Sequence, residues 1–200
     1  MIKTDHWQGI VDHVSSVHKN LDDGLGESTA RMLIGRRTNP ELGINLSTNS
    51  RYLALGAGYA HAELELAKLL GLKDENVTLL DKQFSALALG HLSYQGFEGQ
   101  TVECDMFDFL ETPAKEKFDL ITGFGLESNY DSPRRFQRLV AGIAANLNIG
   151  GVTVLIPETM GIVASQLFRD HGFVSLHKND GFLSGSTAMV FKPPTARAPG

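Results

Sequence analysis

The residues best placed to do chemistry lie in RYLALGAGYAHAELELAKLL, residues 51–70, which reads as a strand, a glycine-containing turn and a helix. Gly56 and Gly58 stand where the chain must reverse sharply, and without side chains they let a ligand approach the backbone. The helix after them aims its unpaired N–H groups at the same place. Glycine pairs also occur at strand ends merely to make a tight connection, so the kind of ligand has to come from spacing. A dinucleotide fingerprint, Gly-x-Gly-x-x-Gly or Ala, needs a small residue at position 61, where the imidazole of His61 would obstruct close helix-to-strand packing. NAD is therefore disfavoured. The shorter spacing Gly-x-Gly-x-Gly is met with Ala60 in the third place.

A second candidate group lies in GFGLESNY, which offers Glu127 to take a proton, Asn129 to orient a substrate and Tyr130 to present a ring. The bland reading, a polar connector to the next helix, has equal weight. His61, His91, His171 and His177 are scattered without metal-ligand spacing, and no metal is assigned. The single cysteine, Cys104, rules out an internal disulfide and a cysteine-based zinc cluster, and it reads as a structural thiol.

The elements that must position these residues alternate. Strands are predicted at 52–55, 77–80, 101–104, 118–122 and 152–156, and helices at 62–70, 85–92, 133–147 and 162–171, the third ending before Gly150 and the fourth before Gly172. That alternation specifies a parallel sheet with helices on both faces. Residues 173–177 and 187–191 flank KNDGFLSGS, whose Asp-Gly pair signals a hairpin, so the last two strands should run antiparallel. Upstream, Trp7, Ile10, Val11, Val14, Val17 and Leu21 recur at helical spacing over 4–21, a short helix is expected over 27–34, and GRRTNPELGINLSTNS reads as loop. Three regions result: an N-terminal helical extension over 1–50, a core over 51–192 and a mobile tail over 193–200.

The chain has 200 residues, 42% of them hydrophobic and 20% charged, enough for one α/β domain. Its formal net charge of -5 would repel a phosphate backbone, so nucleic acid is a disfavoured partner. Arg36 with Arg37, and the set Arg134, Arg135 and Arg138, read as solvated faces. MIKTDHWQGIVDHV lacks the basic and apolar order of an export signal, and no apolar run approaches the ~20 residues needed to cross a bilayer. A cytoplasmic protein without a membrane partner is expected.

From Arg51 to Lys192 the sequence resembles the class I S-adenosylmethionine-dependent methyltransferases. The resemblance rests on the Gly56-Ala57-Gly58 turn, on VTLLDKQ, VECDMFDF and FDLITGFGLESNY, and on LNIGGVTVLI followed by the terminal hairpin. It implies a three-layer αβα, doubly wound, mostly parallel seven-stranded sheet whose antiparallel last strand is inserted beside the fifth. It implies S-adenosylmethionine as cofactor, with Asp81 accepting from the ribose hydroxyls beside Lys82. Asp105 would meet the adenine amino group and Met106 the ring, and Phe124, after the fourth strand, would also bind the cofactor. Asp108 is assigned to cap the following helix. His13 and His18 would lie on a lid helix.

The implied reaction is methyl transfer to a small molecule. In-line positioning can supply on the order of 7–11 kcal/mol of the acceleration, and a base such as Glu127 is needed only for a protonated acceptor. GFGLESNY lacks the Asn/Asp-Pro-Pro-Tyr pattern of nucleobase amino-methylating enzymes, which disfavours DNA adenine methylation. Ala54 stands where many members carry an acid for the cofactor's methionine ammonium. Either another acceptor replaces that acid, or the cofactor binds poorly, or the fold persists without the reaction; a non-catalytic scaffold and an aminopropyl transferase are the competing readings. Asp81→Asn is expected to weaken cofactor binding with the stability of the unliganded protein nearly unchanged.

Overall fold

The computed structural model describes residues 24–37, 44, 46–124, 126, 133–155, 167–176 and 187–192. Among these, helices α1 (Leu25–Arg37), α2 (His61–Leu70), α3 (Ala86–Tyr94), α4 (Met106–Glu111) and α5 (Pro133–Asn146) accompany seven strands. The strands are β1 (Tyr52–Leu55), β2 (Val77–Asp81), β3 (Gln100–Glu103), β4 (Phe118–Gly123), β5 (Leu147–Leu155), β6 (Phe173–Ser175) and β7 (Thr187–Phe191). They form one sheet in the order β3-β2-β1-β4-β5-β7-β6. The first five pair in parallel, while β7 runs antiparallel to both β5 and β6. The final strand is thus inserted beside the fifth, as the resemblance implies.

The order reverses at β1, where successive crossovers change sides. Connections from β1 to β2 and from β2 to β3 carry α2 and α3 over one face, and those from β3 to β4 and β4 to β5 carry α4 and α5 over the other. The core divides accordingly. Tyr52, Ala54, Leu66, Leu79, Ala88, Leu120 and Val154 pack on the first face. Leu53, Leu55, Phe107, Ile121, Phe136, Ile143 and Leu155 pack on the second. Alternation along β1 sends odd and even residues to opposite layers, so a strand that reads as one apolar run serves two cores.

Helix ends follow local chemistry. The Ser85 hydroxyl accepts from the Ala88 amide at the start of α3, and Gly71 takes a left-handed conformation to end α2. Helix α1 lies across α2 with Gly26 against it; a side chain there would overlap the Ala62 carbonyl, and Glu65 accepts from the Glu27 amide.

Expectations on both faces are corrected. Helix α5 stops at Asn146, and Leu147 already pairs with Phe118, so residues 147–150 belong to a longer β5. Gly150, at φ +80°, therefore lies inside an irregular strand and is no helix stop. The register shift between Phe118 and Leu120 accommodates the extra residues. Helix α1, in turn, exceeds the expected 27–34 at both ends. The predicted helix over 4–21, the hairpin connection after residue 176 and the tail over 193–200 lie outside the described residues, as does most of the predicted helix over 162–171.

Candidate functional site

The carboxyl ends of β3, β2, β1 and β4 adjoin one another, and the described ones among the sequence-predicted residues, Gly56, Ala57, Gly58, Asp81, Lys82, Asp105, Met106 and Phe124, follow those ends. The chain leaves β1 through Gly56 at φ +65° and Gly58 at φ +51°, and Ala60 follows at φ +58°. Ala60 thus adopts the left-handed conformation that a third glycine would take without strain, and it is the one described non-glycine residue to do so. The turn is held from two sides. Ala57 donates to the Leu80 carbonyl at 3.0 Å, and Gly58 donates to Asp81 Oδ2 at 2.9 Å.

Asp81 therefore ends β2 with its carboxylate facing the glycine turn. Its Oδ1 accepts from the Gln83 amide at 3.1 Å. A carboxylate carries about four lone-pair sites, so two such bonds leave acceptor capacity for paired hydroxyls. The bond to Gly58 also ties Asp81 to the unliganded fold, which changes the expectation that Asp81→Asn leaves stability untouched. An asparagine keeps one acceptor oxygen, so Gly58 or Gln83 loses its partner.

Gly56 and Gly58 differ in what surrounds them. A Cβ on Gly56 would overlap the Leu126 side chain, whereas one on Gly58 would meet nothing within 4 Å. The space beside Gly58 is open. Lys82 is exposed, while Ala57 and Phe124 are each 5% exposed, and Leu126 packs beneath both Gly56 and Gly123.

Asp105 follows β3 and is the N-cap of α4, its Oδ1 accepting from the Phe107 amide at 2.9 Å. The assignment of that cap to Asp108 is corrected: Asp108 lies inside the first turn, where its φ/ψ is helical and its side chain is past the cap position. Met106 opens α4 and is buried. Glu127, Asn129 and Tyr130 lie outside the described residues, as do His13, His18 and His177.

Sequence reading missed three features. Glu103 accepts from the Phe84 amide at 3.0 Å, fixing the segment after Asp81 against β3. His61 and His91, 30 positions apart in number, bring their ring centroids to 4.3 Å, with Tyr59 stacked on His61 at 6.3 Å. His91 is buried, and the loss of water holds its pKa below 6.5. Glu63, on the first turn of α2, is only 4% exposed. Helical spacing marks Glu63 as a neighbour of Leu66 and Ala67, a carboxylate on an apolar stripe, which is the available clue. No cluster of three or more metal-ligating side chains occurs among the described residues, and no described helix is long and apolar enough to cross a membrane.

The sequence matches no protein-family model and no curated protein. Solved structures do match. A TehB-like SAM-dependent methyltransferase from Corynebacterium glutamicum superposes with a TM-score of 0.59 at 17% identity, covering 96% of this chain and 100% of the other. The Streptoalloteichus sugar N-methyltransferase KedS8 gives 0.61 at 13% identity over 90% and 92% of the two chains. A Burkholderia thailandensis 1,6-didemethyltoxoflavin-N1-methyltransferase gives 0.57 at 18% identity over 96% and 92%. With its switch point at β1, its glycine turn and its inserted antiparallel seventh strand, the chain has the fold of the class I S-adenosylmethionine-dependent methyltransferases.

Proposed function

We infer that the chain binds S-adenosylmethionine at the carboxyl edge of the sheet and transfers its methyl group to a small molecule. The observation that carries this reading is the Gly58 to Asp81 bond with open space beside Gly58. It joins a bare backbone surface to a hydroxyl acceptor at the switch point of a doubly wound sheet, where such folds take their ligands. Gly56, Ala57 and Gly58 would face the cofactor's amino-acid part, Asp81 and Lys82 its ribose, and Asp105, Met106 and Phe124 its adenine. When bound, the cofactor supplies an electrophilic methyl group on a sulfonium. The protein's own task is to orient the acceptor and exclude water, with Glu127, Asn129 and Tyr130 as the candidate acceptor-facing residues.

A small acceptor is supported by the net charge of -5, which disfavours polyanions, and by neighbours of the same fold that methylate a sugar and 1,6-didemethyltoxoflavin by their descriptions. Isothermal titration with S-adenosylmethionine and S-adenosylhomocysteine tests the reading. Saturable binding at a single site is expected, and no heat at high micromolar ligand would overturn it. The second reading, a scaffold that keeps the fold without the reaction, is favoured by the apolar Ala54, which is fully buried. In that case Asp81→Ala would leave function intact in a chain that purifies with a protein partner. An aminopropyl transferase would be recognised from the mass of the product.

A further inference from the structure

At the carboxyl end of β2 two consecutive main-chain amides are held by carboxylates from two different strands. The Gln83 amide donates to Asp81 Oδ1 at 3.1 Å, and the next amide, that of Phe84, donates to Glu103 Oε1 at 3.0 Å. Glu103 is registered against Asp81 across the parallel β2–β3 pair, so both side chains leave the same face of the sheet. It is the face of Leu79, two residues before Asp81. The Cys104 amide donates to the Asp81 carbonyl at 2.9 Å, and Asp105 then caps α4. Successive residues leaving β3 thus hold the chain after Asp81, hold Asp81 itself and supply the acid assigned to adenine.

The cofactor reading, on which this inference rests, asks Asp81 to present spare acceptor capacity to two ribose hydroxyls. An aspartate turns about two side-chain bonds, so its oxygens need fixed partners to stay aimed. Oδ2 has one in the Gly58 amide at 2.9 Å. Oδ1 has one in Gln83, which lies with Lys82 in an exposed stretch between β2 and α3. The buried Phe84 ring fixes where that stretch ends but leaves its peptide planes free to turn. The bond from Phe84 to Glu103 fixes the plane between residues 83 and 84, next to the amide that aims Asp81. We propose that Glu103 is the positioning residue for Asp81: by holding the Phe84 amide it keeps Gln83 on Oδ1, so that the ribose acceptor is aimed before the cofactor arrives. Such preorganisation raises affinity because the ordering cost is met on folding. The role needs an acceptor oxygen at position 103 and no charge.

The test is a double-mutant cycle read by calorimetry with S-adenosylhomocysteine. Glu103 is exposed, so its truncation leaves no cavity. Glu103→Ala should weaken binding about five-fold, and Glu103→Gln, which keeps an acceptor oxygen, should stay within about two-fold of wild type. In an Asp81→Ala background, with no carboxylate left to aim, Glu103→Ala should change affinity by less than about two-fold. Amide exchange of the unliganded protein gives a reading that needs no ligand: Glu103→Ala should lower protection at both Phe84 and Gln83, and Glu103→Gln should restore it. No loss of affinity in Glu103→Ala, equal losses in the two backgrounds, a Glu103→Gln as weak as Glu103→Ala, or protection lost at Phe84 alone would each overturn the role of Glu103 while leaving the cofactor reading in place. A wild type that binds no S-adenosylhomocysteine would overturn both. Should Glu103→Ala fail to fold, Glu103→Asp, one methylene short of the Phe84 amide, takes its place with the same expected and overturning results.

Discussion

The two ends of the sheet treat their polar groups differently. At the amino end, side chains are used up in stitching the chain to itself. The Arg51 amide donates to Asp119 Oδ2 at 2.9 Å, Asn148 Nδ2 donates to Asp119 Oδ1 at 2.7 Å, and the Arg51 guanidinium lies 4.9 Å from the Phe118 ring centre. Beneath them Asn146, fully buried, donates through Nδ2 to the Leu110 and Gly142 carbonyls and accepts through Oδ1 from the Ala114 amide. At the carboxyl end, Gly56, Gly58 and Ala60 all sit at positive φ, and Asp81 holds the turn while keeping acceptor capacity. One end is closed by its bonds, and the other is held in shape but left receptive. Stability is thereby concentrated away from the place where strain and open backbone serve a ligand.

The sharpest way to break this contrast is at Asn146. Asn146→Ala removes the side-chain partner of the Leu110 and Gly142 carbonyls and of the half-buried Ala114 amide, and unfolding free energy by denaturant titration should drop by about 2 kcal/mol or more. The folded fraction should bind S-adenosylhomocysteine as before; a loss of affinity would show that the two ends are coupled.

Gly58→Val places a branched side chain at φ +51° in open space. Backbone strain should cost about 1–2 kcal/mol of stability, and calorimetric affinity for the cofactor should fall about ten-fold or more. Unchanged affinity would make the turn purely structural.

Asp81→Asn acts on both functions at once. Cofactor affinity should fall about ten-fold, and the unliganded protein should lose about 1 kcal/mol in thermal unfolding as Gly58 or Gln83 loses its acceptor. A destabilised protein with normal affinity would assign Asp81 to the fold alone.

The smallest expected effect comes from His91. Its folded-state pKa lies below 6.5, so the unfolded chain binds its proton more readily. Stability is full above the unfolded value and falls as pH is lowered from about 6.5 toward the folded value. His91→Leu should flatten this part of the stability profile, whereas an unchanged acid slope would assign the loss to other groups.

The glycine turn, the alternation of strand and helix, and the end of β2 at Asp81 were readable from the sequence because each depends on neighbours within a few positions. Left-handed backbone at Gly56 and Gly58 needs no Cβ, and the two cores needed only apolar runs at strand and helix periods. Helix caps were less certain: Asp105 and Asp108 are chemically identical candidates three positions apart, and only the course of the chain out of β3 selected Asp105. The start of β5 at Leu147 was hidden for a related reason. LNIG is as compatible with a helix end as with a strand, and pairing with Phe118 decided between them. Contacts between distant positions lay wholly with the tertiary structure. His61 meets His91 and Asp81 meets Gly58 because crossovers fold separate segments over one switch point. Local propensity carries no record of such partners, since a carboxylate, a phenol or an imidazole has the same short-range preferences whichever group the fold sets against it.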